Sequence, residues 1–310
     1  MKLASTTADF REYAQTSAEA VALFEGTGFR FLDMSFYHEN HPGSPFVGSG
    51  DAWKKAVCEA GETAAKMGFS FCQAHSPAGE YFGSAEKRES LLTSTRRSIE
   101  ACAMLGIKNI VVHGEGSPAF TPLEFMKRNR ELFSDLFGAM EKFGVNVLIE
   151  NSCEQNSPCY YMRTGAEMRE FIEFVNHPLL HACWDTGHAH MRDMDQYGSI
   201  VALGSELRAL HIQDNYGDRD SHTAPFFGNC NFDQVIHGLL DTGYTGAFTF
   251  EGGNLMRNHN AWPHFRKQWE HGGKTVKTLL DVPVHIKRKA IALMYETGKY
   301  MLEQYGCFEV

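Results

Sequence analysis

Six residues able to bind a metal ion, His75, His113, Glu150, Asp185, His211 and Glu251, stand at or near the ends of separate apolar runs. The runs read FSFCQAH, NIVVHG, VNVLIE, LLHACWDTGH, LRALHIQD and AFTFEGG. If those ends converge, the side chains repel one another and lose hydration unless something cationic sits among them. A divalent metal removes that cost. The most economical ligand set is Glu150, Asp185, His211 and Glu251, three carboxylates and one imidazole. Such a hard, oxygen-rich set suits one Mn²⁺, Mg²⁺ or Co²⁺ ion, and it is also compatible with Zn²⁺. His188 lies three residues past Asp185 in CWDTGHAH and is expected to reach the same place as a donor or further ligand. His75 and His113 read as substrate-binding or supporting residues, and His190 as a solvated loop histidine.

Something must bring these ends together, and the chain repeats one unit that can. In TPLEFMKRNRELFSDLFGAMEKFG, Thr121 can cap a helix, Pro122 suits its first turn, Glu124 sits three after the cap and Gly144 can close it. Leu123, Phe125, Met126, Leu132, Phe133, Leu136 and Phe137 recur at near-helical spacing. The β-like run VNVLIE follows at once. Adding FRFLDMS near residue 30 to the six runs above makes seven clear strands, and an eighth is expected near TAPFFGN.

Strands alternating with helices imply parallel strands and right-handed crossovers. The expectation is an α/β protein, a (β/α)8 TIM barrel over residues 1–282, whose strands all end at one mouth. An open doubly wound sheet is the competing arrangement, but the first βα turn has no G-x-G-x-x-G. Residues 283–310 read as a C-terminal helical extension packed on the barrel or on a neighbouring subunit.

Composition narrows the partners. The 310 residues carry 29 Lys+Arg against 38 Asp+Glu, a net charge of −9, with no basic stripe of the kind a duplex binder shows. No nucleic-acid partner is expected. No run approaches a membrane span, and MKLASTTADFREYAQ lacks the apolar segment of a secretory signal, so a cytoplasmic address is expected. The eight cysteines are scattered without a C-x-x-C pair, which reads as reduced thiols. Phe46, Tyr81, Phe82, Phe120, Tyr160 and Tyr161 lie in the loops after the strands and are expected partly to narrow the mouth.

The sequence resembles the xylose-isomerase-like superfamily of TIM barrels, the sugar isomerases and epimerases grouped with endonuclease IV. The resemblance is carried by VLIEN (147–151), WDTGH (184–188), LHIQDN (210–215), DRDSHTAPFFGNCNF (218–232) and GYTGAFTFEG (243–252). It implies one divalent metal on Glu150, Asp185, His211 and Glu251, with Glu150 and Glu251 doubling as the acid/base pair. His188 would contact substrate. Arg219 and His222 in the DRDSH segment read as further substrate-binding residues. The implied activity is isomerisation or epimerisation of a carbohydrate, phosphorylated or not, by proton transfer through an enediolate.

A metal-dependent lyase, a dehydratase of the inosose or dehydroshikimate type, is the first alternative. An endonuclease IV-like nuclease is the second, since His75, His113, His188, Asp220 and His222 stand where its trinuclear zinc site has further ligands. The resembling family commonly forms homo-oligomers. The loop departs from the family pattern at Phe226-Phe227-Gly228-Asn229, which predicts a bulkier, apolar cover over the mouth.

Overall fold

In a computed structural model of the chain, the described residues are 1–117, 119–152, 161–257, 269–275 and 281–310. Eight short strands carry the fold: β1 Leu3–Thr6, β2 Phe31–Ser35, β3 Ser70–His75, β4 Asn109–Val111, β5 Asn146–Glu150, β6 Leu180–Asp185, β7 Leu207–His211 and β8 Phe248–Phe250. They pair in parallel in the order β7-β6-β5-β4-β3-β2-β1-β8. A parallel bridge between Ile212 and Phe250 joins the two ends of that row, with Ile212 N donating to Thr249 O at 2.7 Å and Glu251 N to Ile212 O at 3.0 Å. The result is the expected (β/α)8 barrel in one domain.

The eighth strand is not where the sequence suggested. It is β1 at the amino terminus, paired to β2 through Ala4–Phe31 and to β8 through Leu3–Phe248. Leu-Ala-Ser-Thr is too short and too polar to stand out, yet all four residues are buried between two neighbours. In TAPFFGN only Thr223 pairs, in an antiparallel bridge to Asp214. Phe226 adopts φ +74° and is 68% exposed, so that segment is a turn and not a strand.

Helices α1 Ser17–Ala22, α2 Ala52–Met67, α3 Ala85–Met104, α4 Pro122–Ser134, α5 Phe137–Phe143, α6 Gly165–Val175, α7 Thr186–Met191, α8 Gln196–Leu203, α9 Phe232–Asp241 and α10 Val284–Gln304 accompany the strands. Thr121 and Thr164 each head a capping box, with Glu124 and Glu167 answering from the third position. Each such cap contributes on the order of 1 kcal/mol. Helix α10 lies so close to β1 and β8 that only glycine fits at position 298: a Cβ there would sit 2.5 Å from Phe250 and 3.1 Å from Leu3. Ile291, Met294, Met301 and Leu302 are buried along the same helix.

The barrel interior explains where the reactive residues end up. Val111, Leu148, Cys183 and Ala209 form a small buried cluster separate from the main core. Side chains alternate along a strand with a period of two. The next position on the same face is therefore Glu150 after Leu148, Asp185 after Cys183 and His211 after Ala209. The strands β5, β6 and β7 thus send one ligand-type side chain each to the C-terminal mouth. On the other side of the interior the filling is polar: Gln73 donates to Asp33 at 2.8 Å and accepts from Thr249 Oγ1 at 2.9 Å.

Candidate metal centre

At the C-terminal end of the barrel, ligand atoms of Glu150, Asp185, His211 and Glu251 all lie within 4.8 Å of one another. His211 Nδ1 is hydrogen-bonded to Glu150 Oε1 and lies 3.7 Å from Glu251 Oε2. Asp185 and His211 are fully buried, the Glu150 side chain is nearly so, and the Glu251 side chain is partly exposed. Asp185 Oδ1 accepts from His188 N at 2.6 Å, capping α7, and its Oδ2 accepts from Gln213 Nε2 at 3.5 Å. Asn151 grips the Asp185 peptide from both sides, accepting from its N at 2.7 Å and donating to its O at 2.9 Å. Three carboxylates, two of them buried, round one imidazole match the hard donor set expected for a divalent cation.

The electrostatics separate the two glutamates. Burial raises the Glu251 carboxyl to about 7 against the opposing pull of His211 and His222, with repulsion from Glu150 and Asp185 adding to it. Burial acts on Glu150 in the same direction, but His211 and the hydrogen bonds from His113 and His211 hold it well below the usual carboxylate range. Burial also lifts Asp185, which His188 only partly offsets. Burial pulls the His211 imidazole down, yet its acidic neighbours Cys183, Glu251 and Glu150 push it well above the ordinary histidine value.

Two further groups adjoin the four. Ligand atoms of His188, Asp220 and His222 also cluster within 4.8 Å of one another. His188 Nδ1 donates to Asn151 O at 2.9 Å, which turns Nε2 toward Asp220 Oδ2 at 3.4 Å. His222 Nε2 lies 3.0 Å from the same oxygen, and its Nδ1 donates to Glu251 O at 3.0 Å. Burial opposes charge on His222, but Asp220 and Glu251 raise it to about 10. Burial would raise Asp220, and the two histidines instead hold it far below its ordinary value. On the other flank, His113 Nε2 lies 2.7 Å from Glu150 Oε2 and 3.1 Å from His75 Nε2. Burial, with His113 and His211 nearby, lowers His75 to about 3.

Eight of the nine sequence-predicted site residues therefore meet at the mouth. Arg219 does not join them. Its side chain is 58% exposed, with Nε 3.4 Å from Asp218 Oδ2, and it is absent from the described lining of the cavity over the cluster. That cavity has a volume of about 750 Å³.

The aromatic expectations also change. Phe46 packs on Phe36 and Trp53, Phe82 on Tyr81 and Phe120, and Tyr81 and Tyr161 donate their hydroxyls to Asp135 and Glu170. None of these lines the cavity, and Tyr160 lies outside the described residues. Phe226 and Phe227 are 68% and 46% exposed and face solvent, so they form no cover over the mouth. The lining instead includes Asp9, Tyr37, His38 and Arg257, which sequence reasoning passed over. Asp33, buried beneath the cluster, was passed over too. A lone acid inside the apolar run FRFLDMS was the available signal.

With fold and site in place, the comparison with known proteins defines the class. Residues 21–298 match the family described as the xylose isomerase-like TIM barrel, and the chain belongs to it. A probable endonuclease 4 of Citrifermentans bemidjiense is 26% identical over 143 residues, 42% of this chain and 50% of that protein. A ketose 3-epimerase of Arthrobacter globiformis is 30% identical over 111 residues, 35% of each. The chain spans about half the length of the curated relatives it matches first. Among solved structures, D-allulose 3-epimerase from Methylomonas sp. shares the fold at TM-score 0.70 and 16% identity, covering 97% of both chains.

Proposed function

We propose that the protein is a divalent-metal-dependent carbohydrate isomerase or epimerase. The ion would be held by Glu150, Asp185, His211 and Glu251. The observation that carries this reading is the meeting of those four ligand atoms within 4.8 Å, at the end of a barrel where three of them are carboxylates. When bound, the cation would polarise a carbonyl and the adjacent hydroxyl, acidifying the C–H bond between them. Glu150, held ionised, is placed to take that proton as a base. Glu251 follows β8, whereas Glu150 ends β5, and it would return a proton from the other side. His188 and His222 on one side and His75 and His113 on the other line the cavity in which substrate hydroxyls would sit. The ketose and allulose 3-epimerases among the similar proteins support this substrate class.

A second reading has its own observation. The His188, Asp220 and His222 group beside the four, together with the likeness to endonuclease 4, supports a multinuclear nuclease site. The acidic balance of the chain opposes it. Metal analysis and a panel of ketoses, ketose phosphates and inosose-type ketones, with products followed by NMR, separates the readings. Glu150→Gln and Glu251→Gln should each lower turnover of the accepted substrate by about a hundredfold or more. Normal rates in both variants, loss of water from the product, or cleavage of abasic-site DNA would each redirect the assignment.

A further inference from the structure

We infer that Asp33 is a positioning residue that holds His211 as an Nδ1 ligand. The inference rests on the metal reading above and extends it to a residue outside the ligand set. His211 presents Nδ1 to Glu150 and Glu251, so its Nε2 points back into the barrel. Nε2 is fully buried and has no hydrogen-bond partner. The carboxylate oxygen facing it is Asp33 Oδ2 at 3.5 Å, and Asp33 Oδ1 is likewise buried and unpartnered. An orphaned ring nitrogen thus faces a carboxylate that has one oxygen unpartnered, where no water reaches either residue.

Their pairing follows from the chemistry of imidazole. A ring that offers its Nδ1 lone pair to a cation must carry its remaining proton on Nε2. That proton needs an acceptor, and Asp33 supplies one after a closure of a few tenths of an ångström, to about 3 Å. Asp33 is itself fixed. The Gln73 amide donates to its Oδ2 at 2.8 Å and to Leu210 O at 3.2 Å, and Thr249 Oγ1 holds the other end of that amide at 2.9 Å. A network anchored on β2, β3, β7 and β8 thus aims one carboxylate at one imidazole. The His75 ring, stacked on His211 at 5.5 Å and 12°, blocks rotation out of that plane. Carboxylates behind metal-bound histidines fix the tautomer and make the ligating nitrogen more basic.

The test is Mn²⁺ affinity by calorimetry on the full chain for wild type, Asp33→Asn and Asp33→Ala, beside the melting temperature of each metal-free protein. Asp33→Asn keeps an acceptor oxygen without charge and should weaken Mn²⁺ binding by about tenfold, and Asp33→Ala by about a hundredfold. Both losses should exceed anything the metal-free melting temperatures account for. In the diamagnetic Zn²⁺ form, nitrogen NMR should show His211 bound through Nδ1 with a proton held on Nε2. Exchange of that proton should quicken in Asp33→Ala. Unchanged Mn²⁺ affinity in both variants, or ligation through Nε2, overturns the inference while the metal reading stands. Failure of the wild type to bind Mn²⁺ or Zn²⁺ removes the metal reading and this inference together.

Discussion

Asn151 follows Glu150 in the chain, yet its hydrogen bonds serve Asp185 and His188. Its amide satisfies both polar groups of the Asp185 peptide, and its carbonyl accepts from His188 Nδ1 at 2.9 Å. The side chain therefore ties the ends of β5 and β6 and fixes Asp185, while the main chain of the same residue aims His188. Replacing it with alanine strands a buried N–H and a buried C=O, at a cost of about 1–3 kcal/mol each. Asn151→Ala should lower the melting temperature and weaken Mn²⁺ binding by about tenfold. Wild-type values for both quantities would show that Asp185 is held by the strand alone. At this scale the sequence was legible where reactive residues end β-like runs, because strand alternation forces them to a common mouth. It was misleading at Arg219, since a loop side chain between two acids can pair outward at no cost. The Asp33 acid in FRFLDMS went unread because only three-dimensional packing sets it beneath His211.

The terminal helix α10 carries a lysine whose burial demands an account. Lys287 is 1% exposed, and its ammonium donates to Gly253 O and, at 3.0 Å, to Leu255 O in the loop after β8. Asp9, which lines the cavity, is its counter-charge and also accepts from Ser5 Oγ at 2.6 Å. Burial raises Asp9 to about 6 and lowers Lys287 to about 8, each partly restored by the other. The helix thus pins the loop that follows Glu251 to the start of the chain. Gly253 permits the contact, since a Cβ there would lie 1.6 Å from Asp9 Oδ1. Removing one partner of such a pair leaves an uncompensated buried charge, so Lys287→Met should destabilise the fold by about 3 kcal/mol or more. Adding Asp9→Asn should recover part of that loss in denaturant unfolding, and additive losses would show that the two groups are uncoupled. Helices and long strands were readable at this scale from period and caps. β1 was not, because Leu-Ala-Ser-Thr becomes a strand only through the neighbours that bury it, whereas the aromatic FF of the later loop draws the eye to a turn.

Taken as one molecule, the barrel gathers buried acids and histidines whose protonation differs between the folded and unfolded chain, and this links metal, pH and stability. In the metal-free fold Glu251 is raised from 4.5 to about 7 and His222 from 6.5 to about 10, while His211 is also raised. Between pH 6.5 and 8 the folded protein therefore binds more protons than the unfolded chain at these groups. Stability falls with pH wherever the native state holds the extra protons. The stabilisation from His222 is fully present below 6.5 and is lost as pH rises toward 10. Glu251 is hindered as a carboxylate and adds a decline across the window from 4.5 to 7. A cation among the carboxylates reverses the demand, because it binds the deprotonated forms and expels protons. The metal-free protein should accordingly melt at lower temperature at pH 8 than at pH 6.5, and the gain from saturating Mn²⁺ should grow over the same interval. Calorimetric titration in buffers of different ionisation enthalpy should register proton release on binding. A melting gain independent of pH, with no protons released, would mean that the ion is not held by Glu251 and His211.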